Sequence, residues 1–203
     1  GGPLGAGASF GNTAQVYSLG YGGYITAEMT DGWILDKPGP DFIVFENAHE
    51  IDQDPDQIFT ETARIGVSTV AGPYVWFPTD YEPSGELPWR QPRNFSGLAG
   101  ISPVFANIAF NEIDPTDPTV SGGDAFDLAD VGLPYARFIA IVDTGIDEES
   151  PCFEVCSTPS RQTDMNGDLI DDEGNHSDCG NLTGGADIDA VAIVKGHQGF
   201  PDP

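Results

Sequence analysis

The chain has 203 residues, with 7 basic and 33 acidic side chains and a formal charge of −26. Nucleic acid and anionic membrane surfaces both demand a cationic footprint, so this balance excludes them as expected partners. No apolar run reaches the ~18 residues of a membrane helix, and the length suits one sizeable domain.

The 26 glycines and 17 prolines are scattered between short runs rich in Val, Ile, Phe and Tyr, the composition of a turn-rich all-β domain. Residues 1–11 (GGPLGAGASFG) read as a Gly-rich arm or linker, either flexible or able to add to a neighbour's sheet edge. The chain opens on Gly with no apolar leader, which fits a processed or trimmed N-terminus. Residues 14–19 and 24–29 follow as two strands joined through Gly20-Tyr21-Gly22-Gly23 in a hairpin-like connection, and Trp33-Ile34-Leu35 is a short third element.

Pro38-Gly39-Pro40 makes a stiff turn into Asp41-Phe42-Ile43-Val44-Phe45-Glu46-Asn47. Phe42 to Phe45 is apolar at every position, which predicts a central strand covered on both faces. Residues 49–57 (HEIDQDPDQ) read as an acidic loop. From 61 to 70 the pattern alternates, with Ala63, Ile65 and Val67 on one side of a half-buried antiparallel strand. Tyr74-Val75-Trp76-Phe77 is its expected hairpin partner. Residues 80–100 form a long excursion in which Trp89 stands beside Arg90 and Arg93, residue types enriched at partner contacts but equally suited to pinning a loop over the core. A second acidic loop at 111–120 precedes Gly123-Asp124-Ala125-Phe126-Asp127 and a strand at 136–142 with Phe138, Ala140 and Val142 on one face. A Cys- and Asp-rich insertion covers about 143–185, and 187–194 is the last strand. Residues 12–203 are thus one all-β domain, an antiparallel two-sheet β-sandwich, jelly-roll-like, with long loops.

The insertion holds Cys152, Cys156 and Cys179, which suggest a local disulfide in an oxidising compartment, with one thiol left over. A zinc site with His176 as fourth ligand is the rival. Three N-x-S/T sequons begin at Asn94, Asn175 and Asn181 and permit glycosylation of a secreted chain. The insertion also holds an oxygen-rich run. Asp164, Asn166, Asp168, the carbonyl of Ile170 and Asp172 occupy positions one, three, five, seven and nine of a loop, a spacing that wraps Ca2+. It resembles the calcium loops of dockerins and thrombospondin-type repeats. Two positions depart from that pattern: Leu169 stands where the turn wants Gly, and Asn175 where a bidentate acid belongs, with Glu173 as substitute. A second cation site is expected at one rim of the sandwich, from Asp41, Glu46 or Asn47 with Asp124 and Asp127. No metalloprotease, nucleophile-elbow, phosphate-loop or dinucleotide motif occurs, and among so many acids a glycosidase-like pair carries little information. No enzymatic activity is expected.

Taken together, GPGPDFIVFEN, ETARIGVS with YVWFP, SGGDAFDLADVGLPYARFIAIVD and DIDAVAIV resemble a family of bacterial secreted or cell-surface proteins. Their shared domain is a β-sandwich often attached to sorting or anchoring segments. That resemblance, over residues 20–194, implies an extracellular, non-catalytic role. The expectation is a secreted or cell-surface, Ca2+-binding structural or adhesive protein, self-assembling as a homo-oligomer, filament or surface layer. The alternative is a carbohydrate-binding module that stacks glycans on Trp89, Trp76, Tyr81 or Trp33.

Overall fold

The computed structural model describes residues 2–5, 15–145, 162–176 and 184–198. Within them the chain is built from short antiparallel strands with brief 3-10 turns. One sheet runs in the order β1 (Tyr17–Ser18), β15 (Asp187–Ile193), β4 (Phe42–Glu46) and β12 (Asp124–Phe126). The other runs β11 (Leu98–Ala99), β7 (Ala63–Ser68), β14 (Phe138–Asp143) and β2 (Tyr24–Glu28), with β8 (Val75–Trp76) also paired to β7. Three smaller sheets flank them: β13 (Tyr135–Ala136) with β3 (Gly32–Leu35) and β16 (Gly196–Gln198), β5 (His49–Ile51) with β6 (Asp54–Phe59), and β9 (Asp80–Tyr81) with β10 (Phe95–Ser96). None of the sheets closes on itself, and the two large ones pack as a β-sandwich.

The core between them follows from the period of two. Phe42 and Val44 of β4 and Phe126 of β12 meet Ala63, Ile65 and Val67 of β7 and Ile139 and Ile141 of β14. Phe42 stacks on Phe126 at 5.3 Å between ring centres, and Phe77 closes on both edge-on. The alternate positions of β4, Ile43 and Phe45, are covered on the outer side by Val104 and Ala192. Phe42 to Phe45 are therefore all buried, as the unbroken apolar run predicts, and Glu46 at the end of the strand is buried with them. Each such side chain taken from water contributes about 1.5–3 kcal/mol.

Several local expectations are corrected. The segments at 14–19 and 24–29 do not pair with each other: β1 joins β15 and β2 joins β14. The turn closed by Gly23 N–H on the Gly20 carbonyl (3.0 Å) carries the chain from one sheet to the other. Residues 49–57 lie in a hairpin, because Asp52 and Gln53 both take positive φ and let β5 fold back on β6. The strand expected at 136–142 divides at Arg137; Phe138, Ala140 and Val142 share one face of β14, and the core face is the other, with Ile139 and Ile141. The register explains this: Ile139 lies opposite Val67 and Ile141 opposite Ile65, so the inward face of β7 dictates that of β14. Residues 2–5 dock on the chain's own body, with the Leu4 and Gly5 amides on the Asp189 carboxylate and Asn107 Nδ2 on the Leu4 carbonyl.

Candidate metal centre

The turn out of β3 and the turn out of β12 both arrive at the start of β4. Asp41, fully buried, sits between them and ties them together, accepting Lys37 N–H on Oδ1 (3.0 Å) and Leu128 N–H on Oδ2 (2.9 Å). Asp127 caps the short 3-10 turn Leu128–Val131 by accepting the Ala129 amide at 2.9 Å. Asp36 completes the group from the end of β3. The ligand oxygens of Asp36, Asp41 and Asp127 lie within 4.8 Å of one another, the one such trio of acidic side chains among the described residues. Burial pushes the Asp41 carboxyl above its ordinary range against the two amides, and the charges of Asp127 and Asp36 add to the rise. Three carboxylate oxygens converging on one point suit a hard cation.

Asp41 and Asp127 thus meet as expected, with Asp36 as the unforeseen third partner. Glu46 and Asp124 do not join them. Glu46 lies at the far end of β4, about 16 Å away at ~3.3 Å per residue. Asp124 pairs across from Val44 and accepts the Gly100 and Ile101 amides at 2.7 and 3.1 Å. Burial pushes its carboxyl up to about 6 in spite of those bonds.

The run from 164 to 173 divides its groups among separate partners instead of turning them to a common centre. A bridge between Thr163 and Leu169 and the Asp164 N–H to Asp168 carbonyl bond (2.9 Å) close it as a tight turn. Asp164 accepts the amides of Asn166 and Asp168 on one oxygen and that of Tyr81 on the other. Burial raises its carboxyl, but these amides outweigh that and hold it below the ordinary range. Asn166 reaches Asp80, and Ile170 is a core side chain whose amide bonds to Gln162. Asp172 turns inward to Thr62 and Thr144, accepting the Thr62 amide at 2.7 Å and both hydroxyls at 2.8 and 3.1 Å. Burial and the nearby Asp143 charge push Asp172 up to about 7. Glu173 accepts from Nε and Nη2 of Arg90, each at 2.6 Å, a bidentate pair. Leu169, where a wrapped loop needs Gly, marks the difference in the sequence.

Arg90 is therefore held internally, and Trp89 is stacked on His176 at 3.7 Å. Of that group only Arg93 is exposed. Asn94 and Asn175 are 4 % and 2 % exposed, so neither side chain is presented at the surface of the folded chain. Asn94 bolts its loop by donating to the Ser84 and Pro88 carbonyls. Cys152, Cys156, Cys179 and the sequon at Asn181 lie outside the described residues.

Comparison with protein-family models, curated proteins and solved structures gives no match. Function must therefore be argued from the site alone. Sequence reasoning missed Asp36, hidden before the Lys-Pro-Gly-Pro turn, passed over three further buried acids, Glu61, Asp143 and Asp187, and did not foresee the inward turn of Asp172. The signal for two of these was available. Glu61 and Asp143 each stand one step beyond the last inward apolar residue of a strand, Ala63 and Ile141.

Proposed function

We propose that this is an extracellular or cell-surface β-sandwich with a structural or adhesive role, cross-braced by Ca2+. The observation that carries the reading is the convergence of Asp36, Asp41 and Asp127 where two turns meet the central strand. A cation there would tie the end of β3, the start of β4 and the exit of β12 to one point. Ca2+ is preferred because all three donors are carboxylate oxygens, and weak sites of this kind are filled at the millimolar Ca2+ of extracellular fluids. The strongly acidic composition agrees with that setting.

Self-assembly is the form of this role that the surface favours. Phe105, Ile108, Phe110 and Val120 are all exposed within one loop region, an apolar concentration that a monomer in water gains nothing from displaying. Asp36→Asn with Asp127→Asn is expected to reduce the Ca2+-dependent rise in melting temperature and to weaken any Ca2+-dependent growth in particle size by light scattering. Particles that stay monomeric with and without millimolar Ca2+ would remove the assembly role. A double variant with an unaltered response would remove the cation site.

A glycan-binding role is the second reading, favoured by Trp76. Its indole lies on Gly66 of β7 with the Arg64 guanidinium 5.4 Å from the ring centre, and it remains 37 % exposed on the outer side of that strand. A glycan array on which the wild-type protein and Trp76→Ala behave alike would dismiss it.

A further inference from the structure

At the far end of β4 the inward positions of three strands run out of apolar residues and end in acids. In β4, Phe42 and Val44 lead to Glu46; at β7, Ile65 and Ala63 lead back to Glu61; in β14, Ile139 and Ile141 lead to Asp143. Gly185 to Asp187 closes over them, its three successive amides donating one to each acid. Gly185 donates to Glu61 Oε1 (3.2 Å), Ala186 to Asp143 Oδ2 (2.8 Å) and Asp187 to Glu46 Oε1 (3.0 Å). Asp187 brings a fourth carboxylate to the same end. All four are deeply buried, at 2 % exposure for Glu46, 6 % for Glu61, 2 % for Asp143 and 8 % for Asp187.

Asp143 is satisfied, with the Gly22 and Gly145 amides on its other oxygen. Glu46 Oε2 and Asp187 Oδ1 are not: both are buried, and neither meets a hydrogen-bond donor. The charges that act most on Glu61 are those of Glu46, Asp187, Asp172 and Asp143, all of one sign. Buried, unpaired carboxylate oxygens facing other carboxylates are stable only with a partner of opposite charge or a shared proton. Gly100 forms the floor of this space. It holds φ at +85°, and a Cβ there would collide with the Glu61 carbonyl and crowd Glu46 Cγ at 3.4 Å.

We propose that Glu46, Glu61 and Asp187 bind one divalent cation inside this end of the sandwich, and that the cation is Ca2+. Glu46 Oε2 and Asp187 Oδ1 offer the uncommitted lone pairs, and Glu61 supplies the third carboxylate. These donors are hard oxygens without nitrogen or sulfur, which disfavours zinc and copper. The trio is more widely set than Asp36, Asp41 and Asp127, and two rotatable glutamate side chains let it contract to the longer, irregular coordination that Ca2+ accepts and Mg2+ does not. The site stands at the opposite end of β4 from the Asp36 trio, so each can be removed without the other.

Equilibrium dialysis of EDTA-stripped protein against Ca2+ tests the proposal. In an Asp36→Asn/Asp127→Asn background the chain is expected to retain this ion, and adding Glu46→Gln/Glu61→Gln is expected to weaken its binding by at least about tenfold. Glutamine relieves like-charge repulsion, so Glu46→Gln/Glu61→Gln is also expected to raise the melting temperature of the EDTA-treated protein while losing the further rise on Ca2+. Single Glu61→Gln provides the same reading should the pair fold poorly. Ca2+ binding unchanged by these substitutions, no Ca2+ binding by the wild-type chain, or a fall in the melting temperature of the EDTA-treated variants overturns it. Binding that is unchanged by Asp36→Asn/Asp127→Asn but lost with Glu46→Gln/Glu61→Gln sinks the rim site alone and leaves this one standing.

Discussion

The two ends of β4 both finish in acids, yet their surroundings differ. At the Asp41 end the carboxylates lie at the rim, where the Lys195 ammonium ties the turn out of β3 by donating to the Pro38 carbonyl. Both Asp41 oxygens accept backbone amides. At the Glu46 end the carboxylates lie inside the sandwich, where their strongest electrostatic neighbours are other acids and two oxygens accept no hydrogen bond. The first arrangement is a brace on the rim that folds without an ion. The second stores repulsion in the interior, and a cation converts that repulsion into a cross-link between β4, β7 and β15. The same residue type therefore plays a modest role at one end and a decisive one at the other.

The largest expected effect of this difference is on cation removal. A ligand that binds only the folded state stabilises it by ~2.7 kcal/mol at a hundred times its Kd, which for a chain of this size is roughly 5–10 °C of melting temperature. EDTA is expected to lower the melting temperature by that order in the wild type, by a measurably smaller amount in Asp36→Asn/Asp127→Asn, and by the least in Glu46→Gln/Glu61→Gln. An equal loss in both double variants would erase the contrast between the ends.

Next in size is the pH dependence of the cation-free protein. Asp124, pushed up to about 6, and Asp172, pushed up to about 7, both bind protons more tightly folded than unfolded. The stability they contribute is full below about pH 4 and is lost as pH rises through these values. Urea melts of EDTA-treated protein are therefore expected to give a higher midpoint at pH 5 than at pH 8. With saturating Ca2+ the difference is expected to shrink, because protons then compete with the ion. A cation-free protein equally stable at both pH values would mean that burial does not hold the Asp124 and Asp172 carboxyls above their ordinary range.

The fold was more legible in the sequence than the site was. The apolar run at Phe42–Phe45 and the alternation at Ala63, Ile65 and Val67 identified the two central strands, because burial on two faces and on one leave different periods. The pairing of 14–19 was not legible, since which sheet a two-residue strand joins is decided by the distant partner Asp187–Ile188. The acidic run at 164–173 drew attention by its spacing alone. Spacing along the chain does not say whether Asp172 turns outward or toward Thr62 and Thr144, and the tertiary contacts settled that inward. Glu61 and Asp143 each carried a strand-period signal, but their meeting did not: Glu61 precedes β7 and Asp143 ends β14, and they come together only when those two strands align.

Gly100→Ala probes the Glu46 end without altering any charge. At φ +85°, and with the Glu61 carbonyl in the way, alanine is expected to cost about 1–3 kcal/mol and to lower Ca2+ affinity at that end. A variant that melts like the wild type would show that the floor of the site yields freely. The smallest effect belongs to the other end. Asp127→Ala removes both the cap on Ala129 and a carboxylate, for an expected cost of about 1 kcal/mol, whereas Asp127→Asn keeps the cap and forfeits only the charge. Equal urea midpoints for the two in EDTA would mean that the cap contributes nothing.

The most direct measurement is an anomalous difference map from crystals grown in Ca2+ or soaked in a lanthanide. The account predicts a peak about 2.3–2.6 Å from Glu46 Oε2 and Asp187 Oδ1, with Glu61 drawn in beside them. A map with no peak among Glu46, Glu61 and Asp187, with density only at Asp36, Asp41 and Asp127 or nowhere, would contradict it.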